Sequence, residues 1–168
     1  MQGNTGDNAS DTGRVPAVAS GGPAAGPPPA IDVSSVDVPV AEPTADRPVA
    51  LGAVVHPSQA NPGDKVVLVV RAKMFAPWHI YAAEGPTGVG IPTRLQIDAP
   101  GWVAASAWAL PAAHVEQSPL GPMSLYEGDV RFVAELQLAD DAPAGQHAIA
   151  VTVTYQSCND TQCLPPTK

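Results

Sequence analysis

The sequence predicts an all-β fold, and three observations support this prediction. Short runs of β-branched and aromatic residues are separated by turns rich in glycine, proline and aspartate. In two of the runs, apolar and polar residues alternate with a period of two, as in a strand that buries one face. No convincing amphipathic helix interrupts them, which disfavours folds that need helical crossovers. Short strands in such a series are typical of an immunoglobulin-like β-sandwich.

The strands can be assigned in chain order. The turn sequence Asn61-Pro62-Gly63-Asp64 introduces a run of valine and leucine at 66–70, which predicts the first strand. Three shorter strands are predicted at 78–82, 92–97 and 102–108, each next to proline or glycine.

Two longer strands are predicted at 129–138 and 147–155 from their alternation. In 129–138 one face is apolar, whereas Val133 is an exception on the polar face. In 147–155 the shared face consists of Ile149, Val151, Val153 and Tyr155.

The first 48 residues differ from the rest of the chain. They contain eight prolines and six glycines but none of the eight aromatic residues, all of which lie between Phe75 and Tyr155. Such a segment cannot bury enough apolar surface to offset its ordering entropy. We therefore predict a disordered Pro/Ala/Gly-rich linker at 1–48 and one folded domain at 49–168. We also expect the closing strand of the sandwich to follow Lys168 in a longer protein.

Charge and hydropathy exclude several classes of partner. The net charge is −8 and there is no cluster of lysine and arginine, so nucleic acid and anionic membrane surfaces are not expected partners. No run of apolar residues is long enough to span a bilayer. Residues 1–13 show neither the basic nor the apolar region of a signal peptide.

The two cysteines, Cys158 and Cys163, lie in a polar turn directly after the last alternating strand. A disulfide between them would close a very small ring, which is worth about 2 kcal/mol on the chain-entropy estimate, against about 4 to 5 kcal/mol for a loop of a hundred residues. Such a bond is better suited to reversible exchange than to stabilising the fold. If the cysteines cycle, an extracytoplasmic compartment is expected. Asp160 lies between them and no basic residue is adjacent, which should raise the pKa of the thiols.

Other chemical roles for the cysteines have weaker support in the sequence. A zinc site would need two more ligands, and His56, His79, His114 and His147 are scattered singly along the chain. A Cys-His hydrolase would need a histidine close to Cys158, and none is close in sequence. We therefore expect no metal and no bound cofactor. A non-catalytic immunoglobulin-like binding or spacer module with an inert disulfide remains the alternative.

Several sequence stretches resemble one known family. The ending Tyr155-Gln156-Ser157-Cys158 … Cys163-Leu164-Pro165-Pro166 is similar to the signature of the N-terminal periplasmic domain of DsbD-type thiol:disulfide interchange proteins. Further stretches agree in order, and they are Asn61-Pro62-Gly63-Asp64, Trp78-His79-Ile80-Tyr81, Ile91-Pro92-Thr93 and Tyr126-Glu127-Gly128-Asp129-Val130. The resemblance covers about residues 49–168.

The resemblance implies an immunoglobulin-like sandwich that acts as the electron-relay domain of a protein-disulfide reductase. Cys158 and Cys163 would receive electrons from a membrane-embedded reductase domain and pass them to thioredoxin-like extracytoplasmic proteins. By the usual order in the family, Cys163 would form the mixed disulfide.

The family also implies a cap loop over the cysteines, and the matching segment here is 116–123, just before Tyr126. No aromatic residue lies between Trp108 and Tyr126, so Leu120 and Met123 are the apolar candidates for shielding the disulfide and Glu116 is a candidate acid near the thiols. Tyr126, at the end of the segment, is a further candidate for shielding the disulfide. Tyr81 and Tyr155 are expected to pack in the core. The alternative is that they line the disulfide and contact the incoming partner protein.

Overall fold

The protein is all-β, as predicted, in a computed structural model that describes residues 32–168. Within the described residues, ten strands follow one another: β1 (Val49–His56), β2 (Lys65–Met74), β3 (His79–Tyr81), β4 (Arg94–Asp98), β5 (Val103–Ala105), β6 (His114–Ser118), β7 (Gly121–Glu127), β8 (Asp129–Leu138), β9 (Ala150–Thr154) and β10 (Ser157–Cys158).

The strands form two four-stranded antiparallel sheets, which make up the sandwich. The first has the order β1-β2-β8-β5 and the second has the order β10-β3-β7-β6. The strands β4 and β9 pair with each other as a separate two-stranded ribbon. The predicted β-sandwich is therefore confirmed.

The interior between the sheets collects the apolar faces that the alternation predicted. Phe132, Ala134 and Leu136 of β8 pack there, and Val153 of β9 joins them. Ile80 and Tyr126 close the interior from the second sheet. The ring of Tyr126 meets Phe132 edge to face with 5.3 Å between centroids, a favourable aromatic geometry.

The central strand β2 is buried on both faces. Its alternate residues Val67 and Val69 point away from the interior, yet their exposed fractions are 0%. A second apolar cluster covers them, formed with Val133 of β8 and with Val36 and Val38 from upstream of β1. We call residues 33–42 the strap.

The strap is also held by charged side chains of the first sheet. The guanidinium of Arg131 donates hydrogen bonds to the carbonyls of Val33 and Val36, and that of Arg71 donates one to the carbonyl of Val38. The strap lies so close to β1 that a Cβ at Gly52 would overlap the carbonyl of Pro39.

Because of the strap, the folded part begins upstream of residue 49, the predicted start of the domain. The predicted linker was 1–48, but its residues 33–42 pack on the first sheet because two valines of β2 would otherwise face water. Residues 1–31 of the predicted linker lie outside the described residues.

Candidate functional site

The two cysteines form a disulfide across a tight hairpin. Cys158 ends β10, and Cys163 lies directly opposite it with 4.0 Å between their Cα atoms. The amide of Leu164 donates to the carbonyl of Ser157 on one side of the pair, and the amide of Asn159 donates to the carbonyl of Gln162 on the other. The cysteines therefore occupy a non-hydrogen-bonded position, where side chains of facing strands come closest.

The turn between the cysteines is held by one side chain. The Oδ1 atom of Asn159 accepts hydrogen bonds from the amides of Thr161 and Gln162, both at 2.9 Å. Asparagine is suited to this role because its short side chain mimics a backbone turn.

The two halves of the disulfide differ in exposure. Cys158 is 2% exposed, whereas Cys163 is exposed to solvent. Thiol–disulfide exchange needs an attacking thiolate that can reach one sulfur while the other leaves. This geometry favours attack at Cys163 and departure of Cys158.

Cys158 packs into a small apolar cluster on the outer face of the second sheet. Its partners are Tyr81 of β3 and Leu125 and Met123 of β7, and we call these four residues the outer cluster. The hydroxyl of Tyr81 lies 3.6 Å from the Sγ atom of Cys158. Because a disulfide sulfur carries no proton, this hydroxyl is the donor.

The loop between β3 and β4 covers Tyr81. A Cβ at Gly90 would overlap the tyrosine ring, so only glycine lets the backbone approach this closely. The amide of Ile91 donates to the side-chain oxygen of Gln156, and the side-chain nitrogen of Gln156 donates to the carbonyl of Leu164. These bonds connect the loop to the cysteine hairpin.

A groove runs beside the outer cluster, and we call it the acidic groove. Its walls carry His79 and three carboxylates, those of Glu116, Glu127 and Asp160. Its remaining lining is apolar or backbone and consists of Met74, Ala76, Pro77, Trp78 and Gly128.

His79 lies next to the disulfide. In the strand register it faces Cys158 of β10 on one side and Glu127 of β7 on the other. It is 6% exposed, and burial lowers its pKa below 6.5, against the opposing effect of Glu127, Glu116 and Asp160. The neutral imidazole is therefore favoured in the oxidised protein.

The structure brings some of the predicted cap residues to the site. The segment 116–123 is not an irregular loop, because β6 and β7 form a hairpin across it. Met123 joins the outer cluster and Glu116 lines the acidic groove. Leu120 lies at the hairpin tip and is 68% exposed.

The predicted aromatic residues separate into two groups. Tyr81 contacts the disulfide. Tyr126 and Tyr155 instead pack in the interior between the sheets, and burial raises the pKa of both phenols. The Tyr126 hydroxyl accepts a hydrogen bond from the amide of Ala83 rather than facing the cysteines.

The sequence interpretation did not identify His79 as a site residue. Alternation places His79 and Tyr81 on one face of β3, but the partner of that short strand cannot be read from the chain. Only the pairing of β10 with β3 brings the histidine to Cys158.

Within residues 32–168, no three side chains of the His, Cys, Asp and Glu types are grouped so that they could hold a metal ion. In the same part of the chain, no helix has the length and apolar character needed to cross a membrane.

Comparison with known proteins gives a family and a fold. The sequence profile for "Thiol:disulfide interchange protein DsbD, N-terminal" matches residues 45–168. The N-terminal periplasmic domain of ScsB from Proteus mirabilis superposes with a TM-score of 0.53 at 13% identity, over 76% of this chain and 47% of that one. This chain thus spans about half the length of that structure.

The reduced DsbD N-terminal domain from Neisseria meningitidis gives a TM-score of 0.40 at 18% identity, over 68% of this chain and 78% of that one. No curated protein sequence matches the chain. The disulfide hairpin lies inside the stretch that the family profile matches, and that stretch is well over half of the sequence. The chain belongs to the family of DsbD N-terminal domains.

Proposed function

We propose that this domain relays electrons by thiol–disulfide exchange through Cys158 and Cys163. It receives electrons from a membrane-embedded reductase domain and passes them to thioredoxin-like proteins outside the cytoplasm. Family membership supports this assignment. The observation that carries it is the unequal exposure of the two cysteines on one tight hairpin.

The exchange proceeds in two steps from the reduced domain. The thiolate of Cys163 attacks a sulfur of the partner's disulfide, so an intermolecular S–S bond forms and the partner's other sulfur leaves as a thiolate. The Cys158 sulfur then attacks Cys163, closes the internal disulfide and releases the second partner sulfur. Two electrons pass to the partner and two cysteines of the domain are oxidised.

An extracytoplasmic location fits the same chemistry. Disulfides form and persist in oxidising compartments, and an exposed one in the cytoplasm would be kept reduced. The ScsB domain that shares the fold is described as periplasmic. No bound cofactor takes part in either step, because the cysteines themselves carry the electrons.

Trapping of the mixed disulfide tests the proposal. Reduced Cys158→Ser protein, incubated with an oxidised thioredoxin-like protein, is expected to accumulate a covalent complex that dithiothreitol dissolves. The matched variant Cys163→Ser should give little complex, because its remaining thiol is buried. Absence of a complex from both variants would favour an inert disulfide in a binding or spacer module.

A further inference from the structure

The position of His79 suggests a role in the exchange itself. It lies directly opposite Cys158 in an antiparallel pair, and such facing residues have Cβ atoms about 4.5–5.5 Å apart. The ring of Tyr81 joins the two residues, since its centroid is 5.9 Å from that of His79 and its hydroxyl is 3.6 Å from the Cys158 sulfur. Among residues 32–168, the His79 ring is part of no side-chain hydrogen bond and it lines the acidic groove.

The surroundings of Cys158 oppose its ionisation. The cysteine is buried, and burial disfavours a thiolate. Glu127 on β7, Glu116 on β6 and Asp160 in the cysteine turn all lie around His79, and negative charge also disfavours a thiolate. Of the described residues that line the acidic groove, none is lysine or arginine. Cys158 must nevertheless become a thiolate to attack Cys163.

We propose that His79 takes up the proton of the Cys158 thiol during exchange and returns it when Cys158 leaves as a thiolate. This inference rests on the proposed function. In the closing step, the neutral imidazole accepts the thiol proton, and the sulfur attacks Cys163 while the partner's sulfur leaves. The imidazolium then releases this proton to solvent. In the reverse direction a partner thiolate attacks Cys163, the electron pair of the broken bond stays on Cys158, and the His79 ring, after taking up a proton from solvent, protonates that sulfur.

The carboxylates of the acidic groove assist this transfer. Glu127, Glu116 and Asp160 raise the pKa of His79 against the lowering effect of burial, so an imidazolium formed there is stabilised. The carboxylates that disfavour a thiolate at Cys158 thus favour a protonated His79, which can hold the proton that Cys158 gives up. A second histidine, His114, lies on the edge strand β6, and its ring is 3.8 Å from the carboxylate of Glu127. It faces Leu125 in the strand register, not a cysteine, and so serves as a control.

The first test needs no variant. The His79 ring is titrated by nuclear magnetic resonance in the oxidised domain and in the domain reduced with dithiothreitol. In the reduced domain the ring signals of His79 should show an additional titration step at alkaline pH, because the adjacent Cys158 thiol ionises there, and the oxidised domain should lack this step. Identical titration curves of His79 in the two states would overturn the proposal.

The second test follows the Cys158 thiolate by its ultraviolet absorbance in a Cys163→Ser background. Adding His79→Gln should raise the thiol pKa by about one unit, which is about tenfold less thiolate at neutral pH. Adding His114→Gln instead should leave the titration curve unchanged. An unchanged curve with His79→Gln, or an equal shift with His114→Gln, would contradict the role of His79. If His79→Gln does not fold, the first test decides.

Neither test uses a protein partner. A failure to trap a mixed disulfide would therefore refute the relay while leaving the His79 result standing. A failure of His79 to respond to the redox state would refute only the present proposal.

Discussion

At the scale of single residues, the two cysteines are distinguished by their surroundings. Cys158 is held in the outer cluster, whereas Cys163 faces solvent across the hairpin. The apolar contacts fix the position of the buried sulfur, and the Tyr81 hydroxyl lies 3.6 Å from it. In the reduced state this hydroxyl can donate to a thiolate, which is a stronger acceptor than a disulfide sulfur.

We predict that Tyr81→Phe shifts the equilibrium toward the disulfide. A hydrogen bond to a charged group is worth about 1.5–3 kcal/mol, so the equilibrium constant for reduction by dithiothreitol at alkaline pH should fall about tenfold or more. The matched control is Tyr155→Phe, whose ring packs in the interior. A larger effect of the control than of Tyr81→Phe would show that the contact between the Tyr81 hydroxyl and the Cys158 sulfur does not set the reduction equilibrium.

At the scale of elements, strand prediction succeeded where apolar and polar residues alternate. The strand predicted at 129–138 coincides with β8, because its period of two directly reports the buried face. The cap segment was less predictable. The family resemblance implied a loop there, yet Pro119 and Leu120 form only the tip of the β6–β7 hairpin.

The packing of the strap was not predicted, because the observation that requires it lies in β2 and not in the strap itself. The unbroken apolar run of β2 indicates burial on both faces, which requires a second covering layer. Residues 33–42 supply this layer with only a few valines, too few to stand out from a proline- and alanine-rich background. Likewise, Val133, the exception in the β8 pattern, is explained by its contact with the strap.

We predict that Val38→Ala destabilises the domain by about 2 kcal/mol, because it removes buried methyl groups and leaves a cavity against β2. Chemical denaturation measures the change. The control is Val89→Ala, whose side chain is 78% exposed and whose loss should cost less than about 0.5 kcal/mol. Equal effects of the two substitutions would mean that the strap does not pack on the first sheet in solution.

At the scale of the whole molecule, stability of the oxidised domain should depend on pH near neutrality. Burial lowers the pKa of His79 in the folded protein below 6.5, its ordinary value in the unfolded chain. At a pH between the folded and the unfolded pKa, the unfolded chain therefore binds more protons than the folded protein. Stability is then lost as the pH falls through 6.5 and levels off below the folded pKa.

Denaturation curves between about pH 7 and about pH 5 test this dependence, since histidine is the side chain that titrates there. His79→Gln should flatten the dependence, whereas His114→Gln should retain it, because His114 is exposed. A variant at His79 with the same pH dependence as the parent protein would be inconsistent with a buried neutral imidazole.

The fold class and the pairing of the two cysteines could be predicted from the sequence, because alternation and cysteine spacing are local signals. The acidic groove could not. Its histidine and three carboxylates come from β3, β6, β7 and the cysteine turn, and only the order β10-β3-β7-β6 brings them together. Strand order in a sandwich is set by long-range packing, which leaves little trace in a three-residue strand such as β3.

The measurement that decides most directly whether Cys158 and Cys163 form a working redox pair is their reduction potential. The domain is equilibrated with a graded series of glutathione or dithiothreitol buffers, and the free thiols are counted. A reversible midpoint between about −270 and about −120 mV, the range of exchanging dithiols, is expected. A disulfide that resists reduction below about −300 mV would be structural and would contradict the relay.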